Sequence, residues 1–148
     1  MTGTPAEPAA FGDVPADEVT APWWDATRER RLTVQRCLEC GHRQHYPRAL
    51  CTGCGGTALD LAEVTGHGTV DAFTVVHRAP PGGPPAPYVV ARVRLAEGPV
   101  LLTNLVGADP GSWCCDRPVR VDWRPLPDGR HLPVFAPARP APARLPED

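Results

Sequence analysis

The sequence predicts a mainly β protein in which a short N-terminal helix is followed by a zinc ribbon and then by a small five-stranded barrel. Two observations predict this fold class. Two Cys-x-x-Cys pairs stand ten residues apart in the run CLECGHRQHYPRALCTGC, and five short β-branched or alternating runs follow them, separated by turn residues. A chain of 148 residues with 20 prolines and 14 glycines has room for one compact domain and one small module, with irregular tails.

The N-terminal region is predicted to be a tail followed by a helix. Residues 1–19 are rich in alanine and proline and are expected to be disordered. Residues 20–32 carry Pro22 at a helix-start position with helix-tolerant residues after it, which predicts a short helix. Its adjacent tryptophans, Trp23 and Trp24, project about 100° apart. We expect one to pack on this chain and the other on a partner; alternatively, both pin the helix against the barrel.

The two cysteine pairs are the strongest motif in the chain. The predicted metal ligands are Cys37, Cys40, Cys51 and Cys54. A glycine follows each pair, Gly41 and Gly55, where it tolerates the positive φ of a tight turn. Four thiolates leave no coordination place for water, so the pattern predicts a structural Zn²⁺ site, with a rubredoxin-type iron centre as the alternative. His42 is expected to face solvent and His45 to pack in the loop.

Alternation and turn residues place the strands. Residues 32–37 lead into the first cysteine pair, and residues 59–64 close the ribbon. The barrel strands are predicted at residues 69–78, 88–95, 100–107, 119–126 and 132–137. Five short strands after a ribbon favour a Greek-key barrel of the OB type, because closing the sheet removes its exposed edges. A five-stranded open sandwich is the competing architecture.

These elements divide the chain into four predicted parts. They are a disordered tail at 1–19, the helix plus ribbon at 20–64, the barrel at 65–137 and a second disordered tail at 138–148. The first residues lack a basic segment followed by an apolar one, and no stretch approaches the length of a membrane span. We therefore expect a cytoplasmic protein without membrane contact, which agrees with metal-bound rather than disulfide-bonded cysteines.

Composition argues against several kinds of chemistry. The chain contains no lysine, so it has neither a Schiff-base lysine nor a P-loop lysine. Ser112 is the only serine, and no GxSxG motif surrounds it. The remaining thiols, Cys114 and Cys115, lie in a predicted connection rather than at a helix N-terminus, which argues against a nucleophile. The residues alone therefore predict a protein that binds rather than one that catalyses.

Four segments, together with the tryptophan pair, carry a resemblance to a known family. They are QRCLECGHRQHYPRALCTGCG, GHGTVDAFTVVHRAP, PYVVARVRLAEGPVLLTNLVG and VRVDWRPLPDGRHLPVFAP, within residues 22–137. In this order they resemble the acyl-CoA-associated family that combines a rubredoxin-like zinc ribbon with an OB fold, long catalogued only as domain of unknown function 35. Some members of that family are fused to a MaoC-like hydratase domain.

The resemblance implies a non-catalytic accessory subunit that binds and completes a thiolase-superfamily enzyme acting on acyl-CoA thioesters. The implied partner is a lipid-transfer-protein-like aldolase of steroid side-chain degradation, or a related thiolase or acyltransferase. It also implies a heterotetramer, a catalytic dimer flanked by two copies, with acyl-CoA at or near the interface. The alternative is a single-stranded nucleic-acid-binding module, although a net charge of −2 and the absence of lysine count against it.

Alternation in two strands separates an outer face that would meet such partners. In residues 88–95 one face is wholly apolar, and the other carries Tyr88 and two arginines. The outward arginines are candidates for contact with CoA phosphates or with an acidic partner surface: Arg92, Arg94, Arg120 and Arg124. Trp23, Trp24 and Tyr88 are the candidate partner contacts, and a solvated outer face is the alternative for the arginines.

Overall fold

A computed structural model describes residues 14–138, which form one helix, a small sheet and a barrel. The helix is α1 (Ala21–Arg28). The small sheet has the order β2-β1-β3, with strands β1 (Thr33–Cys37), β2 (Arg43–Gln44) and β3 (Leu59–Glu63). The barrel strands are β4 (His67–Val76), β5 (Tyr88–Leu95), β6 (Val100–Leu105), β7 (Pro118–Pro125) and β8 (His131–Pro137), with a 3₁₀ turn at Pro110–Ser112.

The barrel closes in the strand order β4-β5-β6-β8-β7, and β7 pairs back onto β4. Its neighbouring strands are antiparallel except for β6 and β8, which run parallel where Leu105 faces Phe135. This is the Greek-key arrangement of an OB fold, so the predicted fold class is confirmed and the open sandwich is wrong. Closure leaves the barrel without an unpaired edge strand, which is how such a small sheet avoids edge-to-edge association.

The barrel core is built by strict alternation. Along β5 the residues from Val89 to Leu95 alternate between buried and more exposed positions, as the sequence predicts. The inward side chains meet Val70, Val119 and Phe135, all with 0% of their surface exposed. Burying apolar side chains of this size stabilises the barrel by about 1.5–3 kcal/mol each. The outward side chains of the same strands are thereby held in fixed register on the surface.

Helix α1 lies between the ribbon and the barrel, and this position buries both of its tryptophans. Trp23 is 3% exposed and Trp24 is 4% exposed, so the expectation that only one would pack on this chain is wrong. The two rings pack edge-on against each other with centroids 4.7 Å apart, and the ribbon and the barrel together cover this pair. Trp23 donates from Nε1 to the Thr33 carbonyl of β1 (2.8 Å). On the barrel side, Nδ1 of His131 lies 2.8 Å from the Thr27 carbonyl oxygen.

The ends of several elements differ from the sequence prediction. Helix α1 ends at Arg28 rather than at residue 32, because Arg30 has a φ of 55°, which leaves the helical region. Strand β4 begins at His67 rather than at residue 69. The two-residue strand β2 and the 3₁₀ turn were not predicted, since neither is long enough to show a period.

Part of the predicted N-terminal tail contacts the folded chain. The Val14 carbonyl accepts a hydrogen bond from Arg130 Nη2 (2.7 Å), and the Asp17 carboxylate accepts from the amides of Val19 and Thr20 at 3.0 and 2.9 Å. These contacts hold the segment that leads into α1. The rest of the two predicted tails, residues 1–13 and 139–148, lies outside the described residues. Within residues 14–138, no helix has the length and apolar character needed to cross a bilayer.

Candidate metal centre and adjoining surface

The four predicted ligands converge at one end of the ribbon. Their sulfur atoms all lie within 4.8 Å of one another. The Cys37 and Cys54 sulfurs are 3.7 Å apart, and the Cys40 and Cys51 sulfurs are 3.6 Å apart. A tetrahedral zinc ion with Zn–S bonds of about 2.3 Å requires S···S separations of about 3.8 Å. The four thiols therefore surround a site of the size that a single tetrahedral metal ion needs.

Backbone hydrogen bonds fix each pair in the same tight turn. The Gly41 amide donates to the Cys37 carbonyl, and the Gly55 amide donates to the Cys51 carbonyl, both at 2.9 Å. Gly41 has a φ of 76° and Gly55 a φ of 75°, in the left-handed region that favours glycine. Nearby amides also point at the sulfurs, as in the 3.3 Å contact from the Gly53 amide to Cys51 Sγ. Such N–H···S contacts stabilise thiolates, which are the form that binds a metal.

Negative charge is shared unevenly among the thiols. Burial acts to raise the pKa of Cys51, but hydrogen bonds from two backbone amides and from neighbouring thiols lower that pKa to about 7. For Cys54 the Gly56 amide acts to lower the pKa, yet the neighbouring thiols outweigh it and raise the pKa to about 12. The Cys51 thiolate thus forms readily, while Cys54 keeps its proton. A divalent cation at the centre is what allows all four to ionise together.

Two buried glutamines hold the loop between the cysteine pairs. The Gln35 side-chain oxygen accepts from the Arg48 amide and from the Gln44 side-chain amide, both at 2.8 Å. The Gln44 side-chain oxygen accepts from the Thr52 amide at 2.8 Å. The contact between the two glutamines is buried and the other two are partly buried, so they fix the loop more firmly than exposed contacts would. Sequence reasoning missed both glutamines, because their pairing and burial depend on how the two strands come together.

The two histidines near the metal centre behave as predicted. His42 is exposed, and its Nε2 lies 3.0 Å from the Thr52 hydroxyl. His45 packs in the loop with its ring centroid 5.4 Å from that of Trp23. Burial lowers the pKa of His45 to about 4, so its ring is neutral at pH 7. Neither ring belongs to the group of four metal-ligating sulfurs.

The predicted outer-face arginines do not form one cluster. Arg92 and Arg94 are exposed on β5, and each lies 3.5 Å from a carboxylate oxygen of Asp71. Arg120 is exposed and Arg124 half-buried on β7, the strand on the far side of β4. Of the four, only Arg92 lines the cavity between barrel and ribbon. The sequence could place these side chains on an outer face but could not show which part of the ribbon lies beside that face.

Two cavities occupy the junction between ribbon and barrel. The first, here called the basic cleft, has a volume of about 970 Å³ and is lined in part by Arg43, Arg48, Arg92 and Glu97. The second, the apolar groove, has a volume of about 700 Å³ and is lined in part by Trp23, Trp24, Tyr88, Val90 and Pro133. The predicted partner contacts Trp23, Trp24 and Tyr88 therefore line one groove, in which both tryptophans are buried and Tyr88 is half-buried. The ribbon arginines of the cleft were missed by sequence reasoning.

Comparison with known proteins places the chain in a family. Two family models match it: the rubredoxin-like zinc ribbon domain of ChsH2 over residues 24–60 and the C-terminal OB-fold domain of ChsH2 over residues 62–124. A solved structure described as an Ltp2-ChsH2(DUF35) aldolase matches with a TM-score of 0.78 and 38% identity, covering 84% of this chain and 98% of that chain. The chain belongs to the DUF35 family.

Two curated relatives of this DUF35 chain are longer proteins. A probable enoyl-CoA hydratase alpha subunit of Thermomonospora curvata is 40% identical over 138 residues, covering 93% of this chain and 43% of the relative. The 3-oxo-4,17-pregnadiene-20-carboxyl-CoA hydratase alpha subunit of Mycobacterium tuberculosis is 33% identical over 109 residues, covering 74% of this chain and 35% of the relative. The DUF35 chain thus spans less than half the length of either relative.

Proposed function

We propose that this DUF35 chain is the non-catalytic accessory subunit of a thiolase-superfamily enzyme that acts on acyl-CoA thioesters. The observation that carries the proposal is its match over 98% of a chain in a structure described as an Ltp2-ChsH2(DUF35) aldolase. Two relatives whose names specify CoA thioesters, an enoyl-CoA and a steroid carboxyl-CoA, support the substrate class. The first partner to test is therefore an Ltp2-type aldolase subunit, and the active-site residues belong to that partner.

The metal is zinc, and its role is structural. Four cysteine sulfurs within 4.8 Å form a closed donor set, which holds the metal without a place for substrate. Zinc fixes the ribbon, the ribbon and barrel hold α1, and the assembled surface docks on the partner. Elemental analysis of the purified chain tests the metal, because a rubredoxin-type iron centre would instead give a coloured protein.

Exposed apolar side chains near the cysteine pairs supply the docking contacts. Leu38 is 62% exposed beside the first pair, Leu50 is 52% exposed beside the second, and Tyr46 is 38% exposed between them. Large apolar side chains left in water at a rigid surface are typical of interface anchors. The predicted contacts Trp23, Trp24 and Tyr88 adjoin this surface through the groove. Two copies on a catalytic dimer form a heterotetramer in the cytoplasm, with acyl-CoA near the interface.

Reconstitution tests the proposal. The zinc-loaded chain and an Ltp2-type aldolase subunit are purified separately and mixed, and the complex is weighed by native mass spectrometry. We expect a heterotetramer whose thioester cleavage exceeds that of either component alone. Failure to associate, or an unchanged rate of cleavage, would contradict it. A salt-titrated assay with single-stranded DNA tests the alternative nucleic-acid-binding function, because a genuine binder loses affinity steeply with salt.

A further inference from the structure

The closure of the barrel has an exception along the second half of β4. Strand β7 pairs with β4 only over His67–Thr69, and one further residue, Val70, bonds to the turn that precedes β7. Beyond Val70, β4 pairs with β5 alone in the described part of the chain. An edge of this kind presents unpaired N–H and C=O groups to any strand that approaches. Residues 72–76 are here called the open edge.

The inward side chains of the open edge are apolar and half-buried. After a one-residue bulge beyond Val70, Phe73 and Val75 pack against the core. Val70 also points inward, is 0% exposed, and uses its N–H and C=O groups to bond on the β7 side. Because side-chain face and hydrogen-bonding edge alternate together along a strand, Phe73 and Val75 direct their peptide groups to that same side, where β7 has ended. The open edge therefore offers both backbone partners and apolar surface.

The sequence of the open edge lacks the usual protection against strand addition. Residues 72–76 read AFTVV, with no proline and no charged side chain. Edge strands that stay unpaired typically carry one or the other. Aromatic and β-branched residues instead favour the interior of a sheet, where they pack against neighbouring strands. The open edge thus has the composition of a strand that is paired on both sides.

Charges at the two ends of the open edge specify the strand that fits it. Asp71 precedes it, and His77 and Arg78, both exposed, follow it. Within residues 14–138 the Arg78 guanidinium forms no ion pair. A complementary strand places a cation beside Asp71, an acid beside Arg78 and apolar side chains between them. Strand β4 itself meets all three requirements when it approaches in antiparallel orientation.

We propose that the open edge joins two copies of this chain, by antiparallel pairing of β4 with β4 about a two-fold axis at Thr74. In that register Phe73 lies opposite Val75 of the second copy, an aromatic and β-branched pair of the kind that stabilises antiparallel strands. A two-fold contact uses the same surface of both copies, so association stops at the dimer. The exposed apolar side chains proposed for docking on the partner lie on the ribbon, so this contact is independent of the proposed function.

Sedimentation equilibrium of the zinc-loaded full chain, without any partner, tests the dimer. A contact of one strand from each copy is smaller than a stable interface, so we expect a dissociation constant on the order of 10 μM or weaker. The average mass should rise from the 15.9 kDa of the monomer toward twice that value as the protein concentration is raised. A mass that stays at the monomer value up to about 1 mM would overturn the proposal.

Matched variants test the position of the axis. Thr74 is exposed, so Thr74→Glu should keep the fold and the zinc content while it places two carboxylates opposite each other in the dimer. The affinity of the two copies should fall at least about tenfold, because like charges directly opposite each other repel. Thr57→Glu makes the same substitution at an exposed ribbon position and should leave dimerisation unchanged. Equal effects of the two substitutions would rule out this axis.

Disulfide cross-linking tests the register. In a chain that carries Cys114→Ser and Cys115→Ser, the variant Thr74→Cys should form a disulfide between two copies, because opposite residues of a non-hydrogen-bonded antiparallel pair have Cα atoms about 4.5 Å apart. The control Ala72→Cys should form none, since its counterpart in the second copy lies four residues further along the strand, about 14 Å away. Equal cross-linking of the two variants would refute the register.

Two further comparisons identify other occupants of the open edge. If a chain that ends at Ala138 forms dimers and the full chain does not, residues 139–148 cover the edge and the proposal is wrong. If the free chain is monomeric but hydrogen exchange of the Phe73 and Val75 amides slows when the aldolase subunit is added, the partner polypeptide occupies the edge and the proposal is equally wrong. A monomeric chain that associates with the aldolase subunit would refute the dimer and leave the accessory function standing.

Discussion

Replacing Trp23 by alanine should strongly destabilise the chain, because its side chain joins the helix to the ribbon. The indole is 3% exposed and donates to the Thr33 carbonyl of β1 at 2.8 Å. Its ring meets that of Trp24 edge-on with centroids 4.7 Å apart, and the Tyr46 ring lies 5.8 Å away. With the His45 ring 5.4 Å away as well, the substitution removes a large buried ring, a buried hydrogen bond and three aromatic contacts at once.

The size of the effect follows from these contacts. Truncation of a buried tryptophan to alanine costs about 3–5 kcal/mol through lost burial and the cavity left behind. The Thr33 carbonyl, in a residue that is 2% exposed, loses a donor, which adds about 1 kcal/mol or more. Together the loss is about 4–6 kcal/mol, comparable with the whole stability of many domains. Trp23→Phe keeps an aromatic ring and should cost about 2 kcal/mol.

Urea unfolding of the zinc-loaded chain, followed by far-ultraviolet circular dichroism, measures this loss. Trp24→Phe is the matched control: Trp24 Nε1 donates to the hydroxyl of Tyr46 (2.7 Å), which is 38% exposed, so water can replace the lost partner. The control should cost about 1 kcal/mol, less than Trp23→Phe. If Trp23→Ala unfolds within about 1 kcal/mol of the wild type, Trp23 does not join these elements and the described packing is wrong.

Four further perturbations have defined outcomes. Cys51→Ser, or dialysis against a chelator, should release the metal and unfold the ribbon, because zinc binding supplies on the order of 10 kcal/mol of folding free energy. Metal analysis together with circular dichroism measures both effects, and an unchanged dichroism spectrum after metal loss would contradict the prediction. Gly66→Ala should lower the free energy of unfolding in urea more than Gly98→Ala does. Both glycines have a positive φ, but of the two only Gly66 would place the new methyl group against a side chain, that of Val121. Equal losses of stability in the two variants would refute the clash. Lowering the pH from 6.5 to 4 should reduce the free energy of unfolding by about 2–3 kcal/mol through His45, because the pKa of His45 is about 4 in the folded chain and the unfolded chain therefore binds the proton at higher pH. In His45→Phe the free energy of unfolding should depend less on pH over this range, and an unchanged pH dependence would refute the assignment. Leu50→Glu should weaken association with the aldolase subunit at least about tenfold in a binding titration, because it places a charge where a 52% exposed apolar side chain is proposed to dock. The zinc content should not change. Unaltered association would show that Leu50 is not part of the interface.

Local signals were sufficient for most of the fold. The spacing of Cys37, Cys40, Cys51 and Cys54 identified a closed donor set, because the ligands lie close together in the chain and each turn is set by its own glycine. Alternation along β5 identified its inner and outer faces, since the period of a strand is two residues. These features depend on neighbours along the chain. A single sequence displays them directly.

Features that depend on distant segments could not be predicted. Both tryptophans are buried because α1 lies between the ribbon and the barrel. The spacing of apolar residues along a helix does not show how many neighbouring elements will cover it. The basic cleft combines Arg43 and Arg48 of the ribbon with Arg92 of the barrel. Arg92 lies at least 44 residues further along the chain than either ribbon arginine. Only the packing of ribbon on barrel brings them together. The alternation of each strand predicts which arginines point outward but not what lies beside them, and of the four predicted arginines only Arg92 lines this cavity.

Mass and turnover, measured together, test whether this chain is an accessory subunit. Zinc-loaded chain, an Ltp2-type aldolase subunit and their mixture are each examined by native mass spectrometry and assayed with an acyl-CoA thioester. We expect the mixture to form a complex that contains both chains and is more active than the aldolase subunit alone. This chain alone should cleave no thioester. Cleavage of the thioester by this chain alone, at a rate typical of enzymes, would contradict it.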